Sequence, residues 1–186
     1  MNQTKEKAVF IVLSQSGTWI SKLLRRITHT EYNHSSLAFN EDLSSMYSFG
    51  RRYKYYPFWG GFIRETPTTG VFGRFPDTQI VVLKVNIPEV KYTELEQCIA
   101  EMYEQKESYH YNYIGCFLNW FHKGFKRKKH LYCSEFIKEL FVRYGVFEEE
   151  FFPKVVRPYD FREMFVDGEI YCGKLKDYNK RAQEND

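Results

Sequence analysis

Apolar and polar residues change rhythm several times along the chain, and each rhythm predicts an element. Ala8 to Leu13 is an unbroken apolar run rich in β-branched residues, closed by Ser14, Gln15, Ser16 and Gly17. Such a run predicts a buried strand. The period then lengthens. Trp19, Ile20, Leu23, Leu24 and Ile27 fall on one helical face, Lys22, Arg25 and Arg26 on the other, and Ser16 or Thr18 stands where a cap is needed. Tyr32 to Phe39 and Ser44 to Gly50, separated by the turn residues Asn40, Glu41 and Asp42, predict a β-hairpin with His34 near the start of its first strand.

Arg51 to Trp59 reads as a basic, aromatic loop, and Phe62 to Glu65 as a short strand. Pro67, Gly70, Gly73 and Pro76 punctuate Thr66 to Asp77, which predicts a loop. Thr78 to Val85 is the strongest strand pattern, ended by Pro88. Thr93 with Glu96 three residues on forms a capping box, predicting a helix to about Lys106 that buries Leu95, Ile99 and Met102. Ile114 to Phe121 predicts another helix. After the charged loop Lys123 to His130, Phe136, Ile137, Leu140, Phe141 and Tyr144 make the stripe of an amphipathic helix that starts at or beside Cys133 and stops at Gly145. Arg157 to Phe165 predicts a short helix, Glu169 to Gly173 a last strand, and the polar tail from Lys176 to Asp186 a frayed end.

A strand, a helix, several strands and then several helices make an α+β domain, with a mostly antiparallel sheet packed against a helical layer. No repeat or linker divides the 186 residues, so residues 1–186 are expected to form one domain with its core at about 8–175. Aromatic residues make up 19% of the chain, so core and cleft alike must be built from rings.

The net charge of +3 does not by itself call for nucleic acid, and no specific nucleic-acid partner is expected. The charge is clustered, however: Arg51, Arg52, Tyr53 and Lys54, then Lys126, Arg127, Lys128 and Lys129. These are solvated loops or a weak contact for phosphate or an anionic surface. The loop Tyr53 to Trp59 either walls a cleft or covers the core. No apolar run reaches membrane-spanning length, and the short apolar stretch after Met1 lacks a cleavage site, so a cytoplasmic protein is expected. Cys98, Cys116, Cys133 and Cys172 are scattered without a CxxC pair. Free thiols are expected, with no metal site and no cofactor.

Two residues carry candidate chemistry. A cysteine in the first turn of a helix faces unpaired N–H groups and the positive end of the dipole, which favours thiolate. The plainer reading of Cys133 is a small buried residue. A histidine entering a strand is commonly structural. A Cys–His pair turns both into catalytic groups.

These fragments, Tyr32-Asn33-His34-Ser35-Ser36-Leu37-Ala38 and Tyr132-Cys133-Ser134-Glu135, with the opening strand, the helix before the His and the Arg157-Pro158-Tyr159-Asp160 segment, resemble the NlpC/P60 superfamily of papain-like cysteine hydrolases. The similarity is to its circularly permuted branch, the YiiX/YebB-like group related to lecithin:retinol acyltransferase, in which the His strand precedes the Cys helix. It spans roughly residues 8 to 175. The resemblance implies a permuted papain-like fold, a catalytic Cys133 and His34, and a thioester intermediate. It implies a small peptide-like, amino-acid-derived or acyl substrate. It also implies a third polar residue on the strand after the His strand. That strand holds no acid or amide, so Ser48 is expected there, with Tyr47 as the alternative; alternation lets only one of them face His34. An amidase or peptidase is the leading expectation. A papain-like binding module without turnover and a membrane-directed acyltransferase or phospholipase are the alternatives.

Overall fold

The structure is a computed structural model that describes residues 5–15, 31–52, 60–112 and 129–178. The predicted helix at Trp19 to Ile27, the aromatic loop Tyr53 to Trp59, the predicted helix at Ile114 to Phe121, the basic residues Lys126, Arg127 and Lys128, Cys116 and the tail after Tyr178 lie outside the described residues, as does the side chain of Arg51.

The architecture is α+β with a mostly antiparallel sheet. In chain order the elements are β1 (Glu6–Gln15), β2 (His34–Ala38), β3 (Met46–Arg51), β4 (Gly60–Glu65), α1 (Gly70–Arg74), β5 (Gln79–Pro88), α2 (Glu89–Glu104), β6 (His110–Tyr111), β7 (His130–Leu131), α3 (Cys133–Arg143), α4 (Asp160–Met164) and β8 (Glu169–Lys174). Six strands form one sheet in the order β4-β3-β2-β1-β5-β8, and β6 and β7 form a second, two-stranded one. By packing, the chain divides into two compact units. The first holds residues 1–7, 47–64 and 87–156, and the second 8–46, 65–86 and 157–186. Each unit is assembled from segments far apart in sequence, which is why no linker marks them.

In the second unit the unbroken apolar run of β1 is buried as predicted: Val9 to Leu13 are at most 3% exposed. β1 pairs antiparallel with β2, setting Ser14 opposite His34 and Phe10 opposite Ala38. After exposed Gln79, β5 has four consecutive buried residues, Ile80 to Leu83, and then alternates, with Val85 and Ile87 in and Lys84 and Asn86 out. Its pairing with β8 shifts register between Val82 and Leu83. Just before β8 the chain passes so close to β5 that a Cβ on Gly168 would lie 2.3 Å from the Lys84 carbonyl oxygen, so only glycine fits. Phe10, Val12, Ala38, Leu43, Met46, Phe72, Ile80 and Val82 form one apolar cluster, joined by Leu175 and Tyr178.

Two sequence expectations change here. Lys176 to Tyr178 are not frayed: residues 175–178 are helical, Tyr178 is 6% exposed, and its hydroxyl donates to the Glu41 carbonyl at 2.6 Å. The loop Thr66 to Asp77 contains the short helix α1, because Phe72 buries itself in the cluster.

In the first unit, Phe49, Phe62 and Phe136 pack with ring centroids 5.5 to 5.6 Å apart, and Tyr109 lies against Phe49 and Phe62. α2 begins earlier than the capping box predicted. Pro88, with φ of −55°, is the residue that caps its start, and Thr93 is interior, its hydroxyl donating to the Glu89 carbonyl. α2 buries Tyr92, Leu95, Cys98, Ile99 and Met102.

Candidate functional site

His34 opens β2, and the pleat puts His34, Ser36 and Ala38 on one face of that strand. Ala38 belongs to the apolar cluster, so this face runs from polar at its start to apolar at its end. The backbone of the polar end is fixed by the β1 pairing, with the Asn33 N–H donating to the Ser14 carbonyl. The imidazole Nε2 of His34 lies 3.0 Å from Glu65 Oε2 and 3.2 Å from Oε1. The Ser36 hydroxyl donates to Glu65 Oε2 at 2.7 Å and sits 3.3 Å from Nε2. The His34 and Glu65 side chains are only 21% and 13% exposed.

Burial alone would raise the Glu65 carboxyl. The charge of His34 and the hydrogen bonds from His34 and Ser36 overcome it, and the net result is a carboxyl held below its ordinary value. Glu65 is therefore a carboxylate at neutral pH. A carboxylate against Nε2 requires the proton on that nitrogen, so His34 donates there and Glu65 accepts. His34, Ser36 and Glu65 all belong to the second unit.

Cys133 is the first residue of α3, with Tyr132 in extended backbone before it and no side chain capping the first turn. Cys133 is 4% exposed. The helix is anchored along its length. Phe136, Ile137, Leu140 and Phe141 are buried; the Ser134 hydroxyl donates to the Val156 carbonyl at 2.9 Å, and Lys138 Nζ donates to the Pro153 carbonyl at 3.0 Å. Gly145, just beyond the helix, takes the left-handed φ of 60° that its C-terminal stop requires. Cys133 belongs to the first unit, as do Ser48 and Tyr47.

Ser48 is fully buried, and its hydroxyl donates to the Phe49 carbonyl at 3.5 Å, the long end of hydrogen-bond range. Tyr47 stacks on Phe62, with ring centroids 6.1 Å apart and planes inclined by 9°. Arg52 is turned inward: its guanidinium pairs with Glu107 at 2.5 Å and donates to the carbonyls of Lys106 and Tyr109. That side chain is 11% exposed, so Arg52 is not part of a solvated loop. Lys129 donates to the Ser108 hydroxyl at 3.3 Å.

The remaining described thiols differ sharply. Cys98 is buried on α2 and hydrogen-bonds Tyr144, which, with burial, pushes the Tyr144 phenol up to about 12. Cys172 is exposed on β8, 3.7 Å from an Arg162 nitrogen and 3.9 Å from the Tyr32 hydroxyl. Arg162 is itself clamped by both oxygens of Glu169.

The sequence reading missed Glu65 and Ser36. Ser36 was legible as the next residue on the His34 face of the strand. Glu65 was not sought, because the third polar residue was expected on the strand after the His strand, whereas the carboxylate is carried by β4. Among the described residues, no three His, Cys, Asp or Glu side chains converge on a metal position. No helix among them is long and apolar enough to cross a membrane. No family model matches the chain, nor does any curated protein or solved structure.

Proposed function

We propose that this chain is a thiol hydrolase of the permuted papain-like (NlpC/P60) type. It would act on an amide or acyl bond of a small peptide-like, amino-acid-derived or acyl substrate. The observation that carries the reading is the Glu65–His34 pair, at 3.0 Å, on the face that Ser36 shares. It fixes the imidazole tautomer that a Cys–His mechanism needs. We assign the third position to Glu65 in place of Ser48, because an ionised carboxylate orients an N–H more strongly than a hydroxyl engaged with a carbonyl.

In this mechanism Nδ1 of His34 accepts the Cys133 thiol proton, and the sulfur attacks the substrate carbonyl. The oxyanion is held by the backbone N–H of Cys133 at the start of α3, reinforced by the helix dipole. The imidazolium returns its proton to the leaving amine or alcohol, which departs as the thioester forms. His34 then takes a proton from water, the hydroxide attacks the thioester, and the acid leaves as the thiol is restored. Glu65 remains ionised throughout and steadies the imidazolium. The reading places the protein in a reducing compartment, the cytoplasm, where its thiols stay free.

A second reading, a papain-like binding module without turnover, draws support from the 4% exposure of Cys133. An activated ester such as p-nitrophenyl acetate separates the two. Mass spectrometry of the quenched reaction is expected to find a transient acetyl group on Cys133, formed more slowly in His34→Ala and Glu65→Gln. Acetylation absent from Cys133, or equally fast without His34, would sink the enzyme reading and leave the binding module.

A further inference from the structure

β6 and β7 make a parallel bridge in which His110 is the direct partner of His130, and Tyr111 of Leu131. The His110 N–H donates to the Lys129 carbonyl and the Asn112 N–H to the Leu131 carbonyl, both at 2.9 Å, so the bridge fixes the two histidine backbones side by side. Direct partners project to the same side of a ladder. The two imidazoles do so here, with ring centroids 5.1 Å apart and planes inclined by 38°. His110 is exposed and His130 half-buried, so the pair opens to water on one side.

That spacing has a chemical meaning. In a tetrahedral ion bound by two imidazoles, each ring centre lies about 3.2 Å from the metal, the sum of a bond of ~2.05 Å and about 1.15 Å within the ring. At the tetrahedral angle the two ring centres are then about 5.2 Å apart. The observed 5.1 Å is close to that separation. The nearest cation in sequence, the Lys129 ammonium, is drawn to the Ser108 hydroxyl and lies 5.5 Å from the Tyr109 ring centre.

We propose that His110 and His130 form a bidentate bis-imidazole site for a divalent late transition metal ion, with zinc as the first choice. Imidazole nitrogen is a preferred donor for zinc and copper, and water or an incoming donor completes the coordination on the exposed side. The site is independent of the hydrolase reading, because what is read is metal binding and not turnover.

Calorimetric titration of the full chain with zinc chloride at pH 7.5 tests it. One zinc per chain is expected. His110→Ala or His130→Ala should weaken the binding at least about tenfold, and His34→Ala should leave it unchanged. Zinc binding no tighter than about 1 mM would overturn the proposal, since two fixed imidazoles should exceed that. Binding that survives His110→Ala, or that only His34→Ala removes, would overturn it equally. Should His130→Ala fail to fold by circular dichroism, the exposed His110→Ala decides alone.

Discussion

Cys133 and Cys172 carry the same thiol into opposite surroundings. Cys133 is 4% exposed at the start of an eleven-residue helix, where the backbone itself supplies donors and a favourable dipole. Cys172 is exposed on β8, with a guanidinium 3.7 Å away. A reagent reaches Cys172 more readily, but Cys172 lies within a strand rather than at a helix start. Arg162 is committed to Glu169 and cannot take up a proton. Exposure and placement at a helix start are thus separate properties of the two thiols.

The sharpest way to break this contrast is to remove each thiol in turn. On any amide or ester that the chain turns over, Cys133→Ala should lower the rate by at least ~10³-fold, and Cys172→Ser should leave it within about twofold. Loss of activity in Cys172→Ser with Cys133→Ala active would reverse the roles of the two cysteines and remove Cys133 as the nucleophile.

The next effect separates Glu65 from Ser48. Glu65→Gln keeps the shape but replaces the acceptor by an amide, so kcat should fall by roughly ten- to a hundredfold with little change in KM. Ser48→Ala should cost less than about threefold, since that hydroxyl donates to the neighbouring Phe49 carbonyl at 3.5 Å, a long and weak bond. Steady-state rates showing Ser48→Ala as the more damaging of the two would return the third position to Ser48.

Where the sequence was informative, a periodic burial demand was the reason. β1 and β5 were legible because an unbroken apolar run needs cover on both faces, and α3 because Phe136, Ile137, Leu140 and Phe141 repeat at helical spacing. The start of α2 was missed because Thr93 and Glu96 look like a cap, while a proline one residue before Glu89 sets φ without any side-chain bond. The helical turn at 175–178 was missed because two anchors, Leu175 and Tyr178, are sparse in an otherwise polar tail. Of the candidate site, His34 and Cys133 were singled out by their positions at element starts. Glu65 was invisible because its role depends on which strand end comes near His34, and that is a property of topology rather than of local pattern.

Labelling kinetics sharpen the cysteine comparison at a smaller scale. With dilute iodoacetamide at neutral pH, the exposed Cys172 should be modified several times faster than Cys133, and buried Cys98 slowest of the three. His34→Ala should slow Cys133 a few-fold by removing its proton acceptor and leave Cys172 unchanged. Peptide mapping that finds Cys133 indifferent to His34 would count against their partnership.

The smallest effect is on stability, and its sign follows from Glu65. The fold holds this carboxyl below its ordinary value of 4.5, so folding favours the ionised form. A group depressed in this way stabilises the fold fully above its unfolded value, and that contribution fades as pH falls through the lower folded value. At neutral pH, Glu65→Gln should therefore be less stable than the native chain by about 1–2 kcal/mol, the scale of a charge-assisted hydrogen bond in a mostly buried site. The gap should close in acid, once the native carboxyl is protonated too. His34 is the principal counterweight to burial at Glu65, so in a His34→Ala background the same substitution should cost less at neutral pH, and the shortfall is the coupling between the two side chains. Urea melts of the four proteins at pH 7 and in acid measure it. A gap that widens as the pH falls, or a cost at Glu65 that is the same with and without His34, would mean that the carboxylate is held by something other than this imidazole.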